Sequence, residues 1–397
     1  MSAMTIGALA ETGRHASVAS TSNISELTFA IPKNICITVM PHIICFSRAV
    51  LHLLPEHVLR WVWREMAETE RCAQGERDME YTTLGRTGLK VSVAGLGCGG
   101  NSRVGIGIGK SMTEAADIIR AAFDMGVTYI DTARLYGTEP AVGLALKGRQ
   151  RDKIVISTKS TIRLEGERIS PDCLANHLDE SLSHLQTDYV DVFFLHGVSL
   201  LDYDYARDIL APAILKEREK GKFRYLGITE PAANDPEQLT IRRAVDDEKY
   251  WDVMMLAFHM LHQTARANVF PKTQAEGIGT VMMYVVRNIF SRPGLLVETV
   301  RGLIEGGKLS PEVIDPDDPL GFLEDEAESL IDAAYRFSRH QKGADTVLFG
   351  TGNVDHLKAN IESILRPPLP EAHLARLHAL FGHLTGVGLD SPEHLRR

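Results

Sequence analysis

Four residues whose types can move a proton together recur along one part of the chain: Asp131, Tyr136, Lys159 and His196. Asp131 and Tyr136 share the stretch "TYIDTARLYGTE" (128–139), Lys159 closes "KIVISTK" (153–159), and His196 closes "DYVDVFFLH" (188–196). Taken singly, each has an ordinary reading. Asp and Thr cap helices, a Lys after a strand is solvated, a Tyr in a loop packs, and a His ending an apolar run sits satisfied in a core. Their chemistry as a set is more specific. A phenol titrates near pH 10, roughly three units too high for exchange at neutral pH. An ammonium beside it stabilises the phenolate, and a carboxylate paired with that ammonium keeps it charged and in place. An imidazole at the same point orients a substrate oxygen or relays the proton. Such a set is a tuned acid/base for a carbonyl or alcohol oxygen, and the accompanying hydride must come from a cofactor, since no side chain supplies one.

The four residues act together only if strand ends bring them to one face. Apolar, β-type runs occur at 91–97, 127–133, 153–159, 188–196, 223–229, 251–258, 280–284 and 346–351, separated by helical patterns such as "SPDCLANHLDESLSHLQ". Ser170, Pro171 and Asp172 open that pattern as a helix start should. Eight buried-type strands alternating with helices predict a (β/α)₈ barrel, in which functional groups gather at the C-terminal strand ends. The stretch "YTTLGRTGLKVS" before them predicts a small hairpin turned at "GRTG". The rival fold is a doubly wound sheet. Gly95-x-Gly97-x-x-Gly100 matches a dinucleotide fingerprint literally, but no helix opens at Gly100 and no acidic residue follows at the expected second strand end. It reads instead as an open first loop beside a ligand. Residues 285–322 exceed what a seventh connection needs and predict an inserted, substrate-contacting segment.

Composition sets the outer bounds. At 397 residues, 44% hydrophobic and 24% charged, the chain fits one large α/β domain or two ordinary ones. A formal charge of -9 disfavours nucleic-acid binding. The five Cys form no C-x-x-C pair and no zinc-type cluster, so no metal is expected and a reducing, cytoplasmic location is. Residues 1–78 differ from the rest, with a Ser/Thr/Ala-rich tract followed by an apolar region broken by Lys33, Pro41 and Arg48. That region is shorter than the roughly 20 clean residues of a membrane span. Residues 1–78 are expected to be a poorly ordered extension, or the product of a start placed upstream of Met79, and residues 79–397 to be the barrel. The sequence does not set the oligomeric state.

With these pieces in order, residues 80–370 resemble the aldo-keto reductase family. The resemblance is carried by "YTTLGRTGLKVSVAGLG", "GVTYIDTARLYGTE", "ISTK", "SLSHLQTDYVDVFFLHG", "KGKFRYLGIT" and "VLFGTGNVDHLKANI". It implies a (β/α)₈ barrel, an extended NADPH or NADH over the strand ends, and a catalytic set of Tyr136 as proton donor with Lys159, Asp131 and His196. It also implies that Thr229, Glu230 and Met255 approach the carboxamide, that Tyr284 (or Met283) stacks on the nicotinamide, and that Arg287 is a candidate for the pyrophosphate. Gly350, Thr351, Gly352 and Asn360 fall at the adenosine end, with His356 nearby.

Two departures from the family matter. Thr229-Glu230 replaces the usual Ser-Asn, and a carboxylate accepts from the carboxamide nitrogen but cannot donate to its oxygen. No Lys or Arg lies within 350–357 to meet a 2′-phosphate, leaving Lys358 and Arg339 as candidates. The family implies NADPH, with NADH as the alternative. Arg103, Tyr203 and Tyr205 are candidates for shaping the pocket. The expected function is NAD(P)H-dependent oxidoreduction of an aldehyde, ketone or sugar hemiacetal. Its competitors are the aldose dehydrogenase direction and a non-catalytic, cofactor-sensing subunit on the same fold. A metal-dependent barrel hydrolase would need His/Asp clusters that are missing.

Overall fold

The computed structural model describes residues 77–385 apart from 233, 248 and 249, together with the backbone of four short strands near the N-terminus. The chain divides into two compact units, Met1–Arg77 and Asp78–Arg397. In the first unit, Met4–Thr5, Phe29–Ile31, Ile35–Met40 and Ile43–Ile44 pair as an antiparallel sheet. The rest of the extension expected over 1–78 lies outside the described residues, apart from its last two positions.

The second unit is a closed parallel barrel. Its strands are β1 (Ala94–Gly97), β2 (Tyr129–Asp131), β3 (Val155–Thr161), β4 (Val190–His196), β5 (Phe223–Thr229), β6 (Val253–Ala257), β7 (Gly279–Met283) and β8 (Thr346–Phe349). β8 closes onto β1 through Val347 opposite Ala94. Helices α1 (Met112–Asp124), α2 (Glu139–Leu146), α3 (Pro171–Leu185), α4 (Ala211–Glu219), α5 (Leu239–Ala244) and α6 (Phe270–Glu276) follow strands β1 to β6 in turn. Local chemistry starts them where the sequence suggests. Ser111 and Glu114 close a reciprocal capping box at α1, and Ser170 accepts from Cys173 N–H ahead of Pro171 at α3.

Strand alternation divides the core. Tyr129, Val155, Val192, Phe194, Val253, Met255 and Val281 fill the barrel interior, while residues such as Phe193 and Leu195 point out to the helices. Gly227 has a reason to lack a side chain, since a Cβ there would stand 2.3 Å from the Phe194 ring. The predicted hairpin forms from Tyr81–Thr83 and Lys90–Ser92, and its Leu84, Leu89 and Val91 pack against the interior cluster. Asp345 anchors it, accepting Gly85 N–H at 3.1 Å and Thr280 N–H at 3.0 Å.

The long connection after β7, which the sequence predicts to hold an inserted segment, has structure of its own. It carries a short helix, Asn288–Ser291, then α7 (Leu295–Glu305) and α8 (Leu330–Arg339), and it buries Leu309, Ile314, Leu320 and Leu323. After β8 come α9 (Val354–Leu365) and α10 (Glu371–Phe381). Among the described residues no helix is long and apolar enough to cross a membrane.

Candidate active site

The C-terminal ends of β2, β3 and β4 bring the four candidate residues together. Asp131 ends β2 directly opposite Ser157 of β3, and Lys159 lies two residues further on, on the same strand face. Lys159 is 1% exposed. Its ammonium donates to Asp131 Oδ1 at 2.5 Å, to Asp131 Oδ2 at 2.6 Å and to the Thr132 carbonyl at 2.8 Å. Those three bonds use all three of its N–H donors. Ser157 Oγ adds a fourth constraint, donating to Asp131 Oδ1 at 2.6 Å. Tyr136 stands over this pair, its ring centroid 5.1 Å from Lys159 Nζ. Its hydroxyl is 3.4 Å from His196 Nε2, with the two rings edge to face.

The electrostatics of the free site differ from the sequence expectation in one respect. Burial, then the Asp131 charge, push the Tyr136 phenol well above its ordinary value. Lys159 was expected to lower it, but its donors are committed to Asp131 and Thr132, so it reaches the phenol only through space. Burial also draws Lys159 down, with Asp131 opposing. His196 falls to about 3, through burial and then the Lys159 charge, so its imidazole is neutral at physiological pH. Its Nδ1 is buried without a hydrogen-bond partner. A bare acceptor is cheaper to bury than a bare donor, which assigns the proton to Nε2. Nε2–H then donates to the Tyr136 oxygen, leaving the Tyr136 O–H directed elsewhere.

A second ring of polar contacts holds the Asp131–Tyr136 loop. Thr132 and Thr138 join their hydroxyls at 2.8 Å. Thr158 donates to Glu139 Oε1 at 2.6 Å, and His184 Nδ1 meets Glu139 Oε2 at 3.3 Å. Sequence reasoning missed Ser157, Thr158 and Glu139. The signal for Ser157 was present in the period-2 spacing of "STK", which puts it on the face of Lys159.

Asp131 and Tyr136 line a cleft of about 890 Å³. Of the sequence-predicted residues, Tyr136, Asp131, Met255, Met283, Tyr284, Arg287, Gly350, Thr351, His356 and Asn360 line it. The Gly-rich loop contributes Gly97, Gly99 and Gly100, as an open loop beside a ligand should. Gly99 is required by Tyr136, since a Cβ there would lie 2.6 Å from that ring. Tyr284 is held at φ 58°, a left-handed backbone that costs a non-glycine residue energy and clusters at functional sites. Arg287 stacks over its ring at 4.6 Å.

Other predicted residues sit elsewhere. Gly352 packs against Gly105. Thr229 is buried, and its Oγ1 accepts Gly197 N–H at 2.7 Å, which fixes the loop just after His196. Glu230 is 3% exposed. Its Oε1 accepts Ala257 N–H at 2.5 Å and Gln238 Nε2–H at 3.2 Å, while Oε2 is buried without a hydrogen-bond partner. Burial raises this carboxyl to about 8 against the opposing effect of those two donors. Three candidates are corrected. Tyr203 is core, its hydroxyl donating to Asp247 and accepting from Trp251 Nε1. Tyr205 donates to the Ile169 carbonyl, and Arg339 pairs with Glu80 beside the hairpin.

A closed parallel barrel with an acid/base set at consecutive strand ends defines a (β/α)₈ enzyme class. The Aldo/keto reductase family model matches residues 96–381, and the chain belongs to that family of oxidoreductases. It is similar to L-galactose dehydrogenase of Arabidopsis thaliana, 27% identical over 294 residues covering 72% of this chain and 88% of that protein. It is also similar to the uncharacterized oxidoreductase YrpG of Bacillus subtilis (strain 168), 28% identical over 224 residues covering 51% of this chain and 65% of that protein. Among solved structures, the holo form of aldo-keto reductase AKR11C1 from Bacillus halodurans aligns with a TM-score of 0.59 at 25% identity. It covers 80% of this chain and 100% of that one.

Proposed function

We propose that this protein is an NAD(P)H-dependent oxidoreductase that interconverts a carbonyl group, or a sugar hemiacetal, with the corresponding reduced or oxidised form. Tyr136 is the proton donor. The observation that carries the reading is the Tyr136 hydroxyl, hydrogen-bonded to neutral His196 above the buried Lys159–Asp131 pair, with Tyr136 and Asp131 lining the cleft.

The cleft fits a nicotinamide dinucleotide. Its volume lies within the range of small-molecule sites, roughly 300–1,000 Å³. Met255 and the flat face of Tyr284 make an apolar bed near Tyr136, Arg287 lies further along, and α9 presents its N-terminus beyond β8. The bound nicotinamide supplies or takes the hydride. The chain's own residues handle the proton. Nε2–H of His196 orients the Tyr136 oxygen, so the phenolic O–H points to a substrate oxygen and passes its proton there as the carbon receives the hydride. Solvent then restores the phenol. A phenol held above its ordinary pKa keeps its proton at neutral pH, so the proton is present to be given, though it leaves less readily than from an unshifted phenol.

Glu230 takes on a different role from that of a charged residue. Uncharged at neutral pH, it carries both an O–H donor and an acceptor, as a carboxamide side chain does. Enclosed outside the cleft lining, it does not itself offer that donor to the nicotinamide carboxamide.

The relation to L-galactose dehydrogenase supports a second direction, oxidation of a sugar at its anomeric carbon. An intact four-residue set favours either enzyme over a cofactor-sensing subunit. The test is a titration with NADPH and NADH, followed by a panel of aldehydes, ketones and aldoses in both directions. Turnover of a carbonyl compound or an aldose is expected. Cofactor binding without turnover of any of them would refute the enzyme reading.

A further inference from the structure

We propose that Cys173 is a second reactive centre, a thiol that small hydroperoxides oxidise, with His177 as its base and Ser160 as the residue that positions that base. This chemistry is separate from the reaction proposed at the cleft and does not depend on it.

The three side chains form one line of hydrogen bonds behind β3. Side chains alternate along a strand, so Ser160 faces α3 while its neighbour Lys159 faces Asp131. Cys173 and His177 lie four residues apart near the start of α3, on one face of that helix. Ser160 and His177 are buried, whereas Cys173 is half-buried and stands outside the lining of the cleft. His177 Nδ1 lies 2.7 Å from Ser160 Oγ, and its Nε2 lies 3.5 Å from Cys173 Sγ. Ser160 Oγ also meets the Thr161 carbonyl at 3.0 Å. A hydroxyl carries one hydrogen, and so does a neutral imidazole ring at its nitrogens. All three contacts are satisfied together only when Ser160 donates to Thr161, Nδ1–H donates to Ser160 and the thiol donates to Nε2. Ser160 thereby fixes the tautomer that turns a lone pair of Nε2 to the sulfur. Burial, then the Arg134 charge, draw His177 down, so its imidazole is neutral at physiological pH and open to a proton.

A nucleophile in reach of a base that a third group orients is the arrangement of an activated thiol. Cys98, the other free cysteine among the described residues, is the contrast: it is fully buried, and burial, then the Asp131 charge, push its thiol up. As a hydroperoxide approaches Cys173, Nε2 of His177 takes the thiol proton and Sγ attacks the peroxide oxygen that carries hydrogen. The S–O bond forms as the O–O bond breaks, and His177 returns the proton to the departing oxygen. Sulfur is oxidised by two electrons to a sulfenic acid, and the hydroperoxide is reduced to water or an alcohol. Half-burial of the sulfur favours a small oxidant of this kind over a bulky disulfide.

The test uses the full-length protein, hydrogen peroxide and dimedone, which traps sulfenic acids, with the Cys173 adduct followed by mass spectrometry. At neutral pH the adduct is expected to form about tenfold faster in the unaltered protein than in His177→Gln. At about pH 10 a thiol loses its proton without help, so there the two proteins are expected to react alike, which a change in access alone would not produce. Ser160→Ala removes one hydroxyl from the line and is expected to slow the neutral-pH reaction by about threefold, less than one full hydrogen bond. That variant carries the test should His177→Gln fail to fold. Three results overturn the proposal: no Cys173 adduct in the unaltered protein, a neutral-pH rate that either substitution leaves unchanged in a folded protein, or a deficit that persists in the alkaline reaction.

Discussion

At the C-terminal ends of β2–β4, Lys159 gives all three donors to Asp131 and Thr132, Ser157 braces the same carboxylate, and His196 lies against Tyr136. At the ends of β5 and β6, Glu230 keeps one oxygen without a partner, and Met255 offers no hydrogen-bond donor. The first region is a finished polar network whose members constrain one another before any ligand arrives. The second is a buried acid whose remaining valence is left for something else. Preorganisation of this kind is what proton transfer requires. The contrast implies that damage in the first region stops chemistry, while damage in the second shifts stability in a pH-dependent way.

The largest expected effect tests the first region directly. Tyr136→Phe removes only the hydroxyl proposed to donate to the substrate oxygen. Turnover should fall by about 10²–10⁴-fold, the range of general acid catalysis, with the Kd for reduced cofactor within about twofold of the unaltered protein. Comparable turnover in the variant would show that the proton comes from elsewhere and erase the contrast.

Lys159→Met asks whether the same region also holds the fold. It leaves Asp131 buried, 3% exposed, without its cation. Removing one partner of a buried pair costs about 3–5 kcal/mol, so the urea midpoint should drop markedly and activity should be lost even where the chain stays folded. A midpoint close to that of the unaltered protein would mean that Ser157 and water suffice for Asp131, and that the network is less committed than its geometry indicates.

The two regions were also unequally legible in the sequence. Asp131, Lys159 and His196 each end an apolar run, and barrels collect functional groups at those ends, so types and spacing singled out residues that the fold brings together. The barrel itself followed from eight such runs and the helices between them. What failed did so because it depended on contacts between distant segments. Nothing in "DYDYAR" shows that Tyr203 will be claimed by Asp247 and Trp251, or that Arg339 will turn to Glu80. The direction of the Tyr136 shift was missed for a related reason. Proximity to Lys159 was foreseeable, but the use of all three of its donors on Asp131 and Thr132 was not. Glu230 was read as a carboxylate because sequence gives residue type without burial, and burial is what decides its charge.

The effect smallest on turnover, and the one most particular to the second region, concerns that charge. Folding raises Glu230 to about 8, against roughly 4.3 for an exposed Glu. Above the lower value the unfolded chain releases this proton while the folded chain keeps it, so the unfolded state gains with each rise in pH until the folded carboxyl also ionises near 8. By linkage, stability contributed through this group is complete below the unfolded value and is lost as pH rises through the window between the two. Glu230→Gln keeps the donor and acceptor and removes the titration. The variant should match the unaltered protein near pH 4.5, gain on it progressively toward pH 8, and exceed it there by about 4–5 kcal/mol. Urea melts at several pH values measure this without any cofactor. Parallel stability profiles for the two proteins would mean that Glu230 ionises in the folded chain at its ordinary pH. The shelf at β5 would then be a charged site, with no more vacancy in it than the network around Lys159.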